Sequence, residues 1–206
     1  MSCEDALWTA RIMQNIFTKH NRYCYDVYNM QPISLLKNVL ENNADKTHFL
    51  FNVQDFYPLF PDFTEENLRM LLSRATKNEI LERICKGIYL YPKSGYDSSI
   101  VLFKVAAKLR ADYLNYVSLE SVLSESGAVS QQLLGWITVM TTGRSGKISC
   151  GRFGTVELIH TAKPAEKVMP LLRLDARTGM WWANEKLALQ DMKVAKRNSD
   201  LIINKF

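Results

Sequence analysis

The sequence has few of the features that mark membrane, secreted or metal-binding proteins. No apolar run approaches the ~20 residues that a membrane-spanning helix requires, so we expect no membrane partner. There are four cysteines, without a CxxC pair, and three histidines. This scarcity argues against a zinc site and favours a reducing, cytoplasmic compartment. The opening segment, residues 1–13, is acidic early and amphipathic, which is not the form of a signal peptide.

Positive charge is concentrated in the later part of the chain. The 206 residues are 47% hydrophobic and 23% charged, which suits one large domain or two small ones. Residues 1–62 hold five Lys and Arg against seven Asp and Glu, a net charge of −2. Residues 63–206 hold the other 21 basic and 14 acidic residues, a net charge of +7. Such a split favours a polyanionic partner, although an ordinary solvated surface also explains a charge of this size.

The first 93 residues are typical of helices followed by a β-hairpin. Leu7, Ile12, Ile16 and Phe17 recur at roughly helical spacing, and a further helix follows Pro32. The pattern then predicts a short helix over residues 53–60 and, after a turn with proline, a longer helix over residues 65–78. Two strands follow, over residues 79–84 and 87–92, joined at a Lys-Gly turn. This is the element order of a winged helix-turn-helix domain.

The longer helix, residues 65–78, has one apolar face and one basic face. Leu68, Leu71, Leu72 and Ala75 form a stripe that we expect to be buried. The opposite face and its flanks, together with the predicted hairpin, which would be the wing of the domain, supply the candidate DNA-binding residues. These are Arg69, Ser73, Arg74, Lys77, Arg83 and Lys86. Arginine reads guanine edges bidentately, and serine and lysine contact phosphates or bases. Cations opposite an apolar stripe also occur on ordinary surface helices, and winged domains also bind proteins.

A Pro-, Gly- and Ser-containing segment, residues 92–99, predicts a boundary between domains at 1–93 and 94–206. Beyond it the pattern predicts a helix over residues 99–114, a second helix with Ser118 as N-cap, and strands over 136–142, 147–153 and 155–161. We therefore expect an α+β protein, with an N-terminal helical winged domain and a mixed α/β C-terminal domain that contains a small antiparallel sheet.

The Gly146-Lys147 pair does not fit a phosphate-binding loop. The GxxxxGK[ST] pattern requires glycine where Thr141 stands and a hydroxyl where Ile148 stands, and a helix should follow instead of a β-branched strand. No nucleophile, base or carboxylate pair stands in a catalytic motif, so we expect neither enzymatic activity nor a cofactor. The hairpins instead suggest a basic patch at one end of the sheet, which ordinary solvated turns would also explain: Arg144, Ser145, Lys147 and Arg152.

Three segments together resemble the AbiEi family of antitoxins from bacterial abortive-infection systems. They are "YVSLESVLSESGAVSQ" at 116–131, "ITVMTTGRSGKI" at 137–148 and "FGTVELIH" at 153–160. A fourth, "WANEKLALQDM" at 182–192, matches a motif near the family's C-terminus, with Asn184 where proline is usual. The resemblance covers roughly residues 53–192, and residues 1–45 are additional to the family pattern.

The resemblance implies an antitoxin that also represses its own operon in a phage-defence system. In that family an N-terminal winged helix-turn-helix binds inverted repeats in the promoter, and basic residues of the C-terminal domain assist. The partner toxin is a nucleotidyltransferase-like enzyme that the antitoxin opposes without a stable complex. By this resemblance the DNA-reading role falls on Arg69, Ser73, Arg74, Lys77, Arg83 and Lys86, and the C-terminal role on Arg144, Ser145, Lys147 and Arg152.

Two other functions remain open from the sequence alone. A winged-helix adaptor would bind a protein partner, or RNA such as tRNA through its basic C-terminal domain. An enzyme that uses the Gly143–Lys147 loop would bind a nucleotide, which the failed motif tests disfavour.

Overall fold

The computed structural model describes residues 31–125 and 135–197, and the chain divides into two compact units between Asp97 and Ser98. The helix predicted from Leu7 to Phe17 lies outside the described residues. Both units mix helices and strands, so the protein is an α+β protein. None of the helices within the described ranges is long and apolar enough to cross a bilayer.

From residue 31 onward, the first unit contains two α-helices, two 3-10 helices, of which the second is Pro92–Ser94, and a three-stranded antiparallel sheet of order β1-β3-β2. In chain order the elements are α1 (Pro32–Asn43), β1 (Leu50–Asn52), the 3-10 helix (Val53–Leu59), α2 (Glu65–Lys77), β2 (Glu82–Cys85) and β3 (Ile88–Leu90). The helices at 53–60 and 65–78 and the hairpin were predicted from the sequence, whereas β1 was not. Strand β1 has three residues, which is too short for a period of two to be recognised.

Helix α2 begins and packs as its sequence dictates. The hydroxyl of Thr64 accepts a 3.2 Å hydrogen bond from the backbone N–H of Asn67, which satisfies one of the free donors of the first turn. The stripe predicted to face inward is fully buried: Leu68, Leu71, Leu72 and Ala75. It packs in one core with Leu36 and Leu40 of α1 and with Phe51 and Phe56. Burying each large side chain of this kind contributes about 1.5–3 kcal/mol, so the orientation of α2 is strongly fixed.

The second unit is built around a six-stranded sheet of order β6-β7-β5-β4-β9-β8. The α-helices described in this unit are α3 (Val101–Leu109), α4 (Glu120–Glu125), α5 (Ala165–Val168) and α6 (Glu185–Val194). Its strands are β4 (Asn115–Val117), β5 (Trp136–Thr141), β6 (Gly146–Ser149), β7 (Thr155–His160), β8 (Leu172–Asp175) and β9 (Met180–Ala183). Helix α3 packs on β5, β7 and β9, while α4 packs on β5 and against α6.

The prediction of a small antiparallel sheet in this unit was wrong. The sheet is mixed, because β5 pairs in parallel with β7 over six residues and β4 pairs in parallel with β9. Strand β6 does not form a hairpin with β5 but pairs with β7 at the edge of the sheet. Five of the six residues of β5 are buried, as in strands that are covered on both faces. Alternation along one strand does not reveal which neighbour it joins, so the parallel pairing had no local signal.

Candidate nucleic-acid interface

The outer face of α2 presents polar and basic side chains to solvent. Arg69, Ser73, Arg74 and Lys77 are all exposed, with Met70 among them. Within the described ranges, Ser73, Arg74 and Lys77 form no side-chain hydrogen bond or ion pair. Two cations and a hydroxyl of this helix are therefore available to an external ligand.

Arg69 differs from these three because it is engaged within its own helix. Its Nε donates a 2.8 Å hydrogen bond to Oε1 of Glu65, one turn earlier. The hydrogen bond and the negative charge of Glu65 raise the pKa of Arg69 above its ordinary value. Both side chains are about half exposed, so the pair is weak in solution. Arg69 reaches a ligand only if it leaves Glu65 or shares it.

The hairpin that follows α2 carries two further cations. Arg83 stands on β2 opposite Tyr89 of β3, and its Nε lies 3.4 Å from the backbone oxygen of Cys85. Lys86 is exposed at the turn, where Gly87 takes a φ of +80° that disfavours residues with a side chain. The six predicted DNA-binding residues thus lie on one helix and on the hairpin immediately after it.

The four predicted residues of the C-terminal patch are not brought together. Arg144 and Ser145 lie in the segment between β5 and β6, beside the end of β7 at His160. Arg152 lies in the 3-10 turn Gly151–Phe153, just before β7 begins. Because six residues of strand span about 20 Å, Arg144 and Arg152 stand at opposite ends of β7. The expectation of one basic end was wrong, since it assumed two consecutive hairpins.

The segment between β5 and β6 is fixed by side-chain hydrogen bonds. The hydroxyl of Thr141 accepts from the N–H of Gly143 at 3.0 Å, and that of Thr142 accepts from the N–H of Leu114 at 3.2 Å. The hydroxyl of Ser145 accepts from the N–H of His160 at 2.8 Å. In the run Thr141–Ser145 only the exposed Arg144 makes no such bond to a described residue, so it is the candidate for an external contact.

Lys147 and Arg152 have intramolecular partners. The Nζ of Lys147 is 3.4 Å from Oε1 of Glu157 and 5.2 Å from the centre of the Trp136 ring. The Arg152 guanidinium lies 4.6 Å from the centre of the Phe153 ring. The carboxylate of Glu157 offsets part of the charge of Lys147, and Arg152 reaches a ligand only if it leaves the Phe153 ring or shares it.

Sequence reasoning missed two residues beside Arg144. Tyr113 is half exposed, and its ring approaches Gly143 so closely that an added Cβ would lie 3.2 Å from it. His160 is exposed, and its Nδ1 lies 2.8 Å from the backbone oxygen of Gly143. Tyr113 was expected within a helix, but α3 ends at Leu109. The sequence carried no signal for its proximity to Gly143, which depends on the pairing of β4 with β5.

Comparison with protein-family models gives no match for the chain, and comparison with curated proteins gives none either. In the described ranges, no three His, Cys, Asp or Glu side chains are grouped as they would be to hold a metal ion.

Proposed function

We propose that the protein is a DNA-binding antitoxin of the AbiEi type that represses its own operon, and that α2 reads the operator. The single observation that carries this proposal is the exposed face of α2. There the side chains of Arg74 and Lys77 have no partner among the residues that the structure describes, and the other face of the helix is fully buried.

The topology of the first unit supports a winged helix-turn-helix domain. The order α1, β1, 3-10 helix, α2, β2, β3 and the sheet order β1-β3-β2 are consistent with such a domain. In it α2 occupies the recognition position and the hairpin is the wing. In this arrangement Ser73, Arg74 and Lys77 contact the major groove, while Arg83 and Lys86 contact the adjacent backbone.

The second unit contributes a separate basic contact through Arg144. Its exposed side chain belongs to a segment whose hydroxyl groups accept hydrogen bonds from the backbone of Leu114, Gly143 and His160, so little ordering of the segment is required when Arg144 meets a phosphate. Under this proposal the protein opposes a nucleotidyltransferase-type toxin without a stable complex and has no catalytic role of its own.

The test is a titration of DNA from upstream of the protein's own gene, followed by fluorescence anisotropy. Arg74→Ala and Lys77→Ala should each weaken binding by about 1–3 kcal/mol where the contact is to a base. If about five phosphates are neutralised, log affinity should fall with log salt concentration at a slope of about −4 to −5.

Lys37→Ala is the matched control, because it removes a cation from α1 of the same unit. In α1 the Nζ of Lys37 lies 3.8 Å from Oε1 of Glu41. It should change the affinity for DNA by less than twofold relative to the unchanged protein. This corresponds to about 0.4 kcal/mol of binding free energy or less, as expected for an exposed charge that contacts no DNA. Unchanged affinity in both α2 variants would contradict the assignment of α2 as the reader. A stoichiometric protein or RNA that co-purifies through high salt would favour an adaptor instead.

A further inference from the structure

Strand β8 is one of the two edges of the six-stranded sheet, and it exposes apolar surface. Leu174 is 54% exposed, and Met169, in the 3-10 turn just before the strand, is 39% exposed. These are two of only five large hydrophobic side chains exposed among the described residues. Natural edge strands usually carry charges or bulges that prevent pairing with another chain, so an exposed leucine at this position requires a reason.

The backbone at Leu174 is directed toward the open edge. In an antiparallel ladder every second residue turns its N–H and C=O groups to the same neighbour. Leu172 stands opposite Ala183, so Leu171 stands opposite Asn184, whose N–H donates to the oxygen of Leu171 at 2.9 Å. Leu171 and Arg173 therefore face β9, and the backbone groups of Leu174 point away from it.

The charges that flank Leu174 have opposite signs, so a two-fold axis through Leu174 would place each of them opposite its complement in a second copy of the chain. Arg173 precedes Leu174 and is exposed, and Asp175 follows it. The hydroxyl and N–H of Thr178 donate to Oδ2 of Asp175 at 2.6 and 3.0 Å. These bonds hold the pKa of Asp175 below its usual value. Asp175 is therefore an anion at neutral pH that lies one residue from the exposed leucine.

We propose that β8 pairs antiparallel with β8 of a second copy of the chain about a two-fold axis through Leu174. Leu174 then faces its own copy and exchanges two backbone hydrogen bonds with it. Arg173 of each chain stands directly opposite Asp175 of the other, at a non-hydrogen-bonded pair where side chains approach most closely. The two sheets become one sheet of twelve strands. This inference does not depend on the proposed function.

The experiment measures the mass of the full chain by sedimentation velocity over a range of concentrations. The unchanged protein should dimerise. Arg173→Asp places like charges opposite each other twice and should raise the dissociation constant by more than about tenfold, and Asp175→Arg should do the same. A mixture of the two variants restores both ion pairs, because each carboxylate of the first faces a guanidinium of the second. It should therefore form a 1:1 dimer.

Lys167→Asp in α5 changes the net charge of the same unit equally, at an exposed position outside β8, and should leave dimerisation unchanged. Asp175→Arg also removes the bonds to Thr178, so Leu174→Lys provides an independent variant, which should be monomeric with an unchanged circular dichroism spectrum. The proposal is overturned by a monomeric wild-type protein, by a dimer insensitive to Arg173→Asp or Leu174→Lys, or by a mixture of folded variants that remains monomeric.

Discussion

The hydroxyl of Ser118 donates a 2.7 Å hydrogen bond to Oδ2 of Asp191, and neither side chain has any exposed surface. The Nζ of Lys163 lies 2.5 Å from the other carboxylate oxygen of Asp191. The first contact joins the junction of β4 and α4 to the last described helix, α6, and the second joins the segment between β7 and α5 to the same helix. Ser118 belongs to the Tyr-Val-Ser-Leu-Glu-Ser segment that resembles the AbiEi family, and in this chain its hydroxyl stabilises the fold.

Removal of the lysine partner of Asp191 should destabilise the second unit strongly. Lys163→Met leaves a fully buried carboxylate without its cation, which should cost about 3 kcal/mol of unfolding free energy. Lys147→Met is the control, because Lys147 is 61% exposed and Glu157 also pairs with Arg197. It should cost less than about 1 kcal/mol. Urea unfolding of both variants measures the difference, and equal losses would contradict the importance of burial at Asp191.

Tyr116 should make the stability of the protein fall at alkaline pH. Burial, and then the negative charge of Asp191, raise the pKa of Tyr116 well above its usual value. The folded protein keeps this proton, whereas the unfolded chain releases it above about pH 10. The stabilisation is complete below that pH and is lost as pH rises, by about 1.4 kcal/mol at pH 11. Urea unfolding should show that Tyr116→Phe lacks this component, and parallel profiles for the two proteins would contradict it.

Gly154 should tolerate no side chain. Its φ is +116°, and an added Cβ would lie 1.9 Å from the backbone oxygen of Gly135. That oxygen accepts a 2.8 Å hydrogen bond from the N–H of Thr155, so it is not free to move. Gly154→Ala should lower the unfolding free energy by at least about 2 kcal/mol.

Gly146→Ala is the matched control for Gly154→Ala, because nothing lies within 4 Å of its added Cβ and its φ is not positive. It should change stability by less than about 0.5 kcal/mol. Similar melting temperatures for the two variants would show that the contact with Gly135 is relieved at little cost.

The sequence predicted best where one local pattern fixes one structure. The apolar stripe of α2 has a period that only a helix satisfies, and Thr64 marks its start. It predicted poorly where structure depends on distant partners. Ser118 was expected to cap a helix, but α4 begins at Glu120 and the hydroxyl is used by Asp191. Short polar side chains serve equally as caps and as buried donors, so the neighbouring sequence alone does not decide between these roles.

The residues of the candidate site also fall into two groups, those that a local pattern predicts and those whose placement depends on distant strands. The exposure of the cations on α2 follows from the position of its buried face. The separation of Arg144 from Arg152, however, follows from β7 lying between β5 and β6. The ion pair of Arg69 with Glu65 is an i, i+4 contact that helical spacing permits. Spacing alone does not decide between this pairing and a role of Glu65 at the positive end of the helix dipole.

Release of Arg69 from Glu65 should tighten DNA binding. Glu65→Gln removes a negative charge from α2 and the partner that holds the Arg69 guanidinium. Affinity should rise, and if Arg69 then meets a phosphate, the slope of log affinity against log salt should steepen by about 0.9. Glu41→Gln on α1 removes the same charge from an i, i+4 pair with Lys37 and should have no effect. If anisotropy titrations gave equal affinities for wild type and Glu65→Gln, Arg69 would be excluded from the DNA contact.

Arg144 and Ser145 should separate function from stability. Arg144 is exposed and bonds to no described residue, so Arg144→Ala should leave the unfolding free energy within about 0.5 kcal/mol. It should weaken DNA binding and reduce the salt slope by about 0.9, as the loss of one phosphate contact does. Ser145→Ala removes the acceptor of the His160 N–H and should cost about 1 kcal/mol of stability, while the salt slope should stay unchanged because no phosphate contact is lost. Thermal unfolding and anisotropy on the same preparations distinguish the two, and a loss of stability without loss of affinity in Arg144→Ala would place Arg144 in the fold and outside the interface.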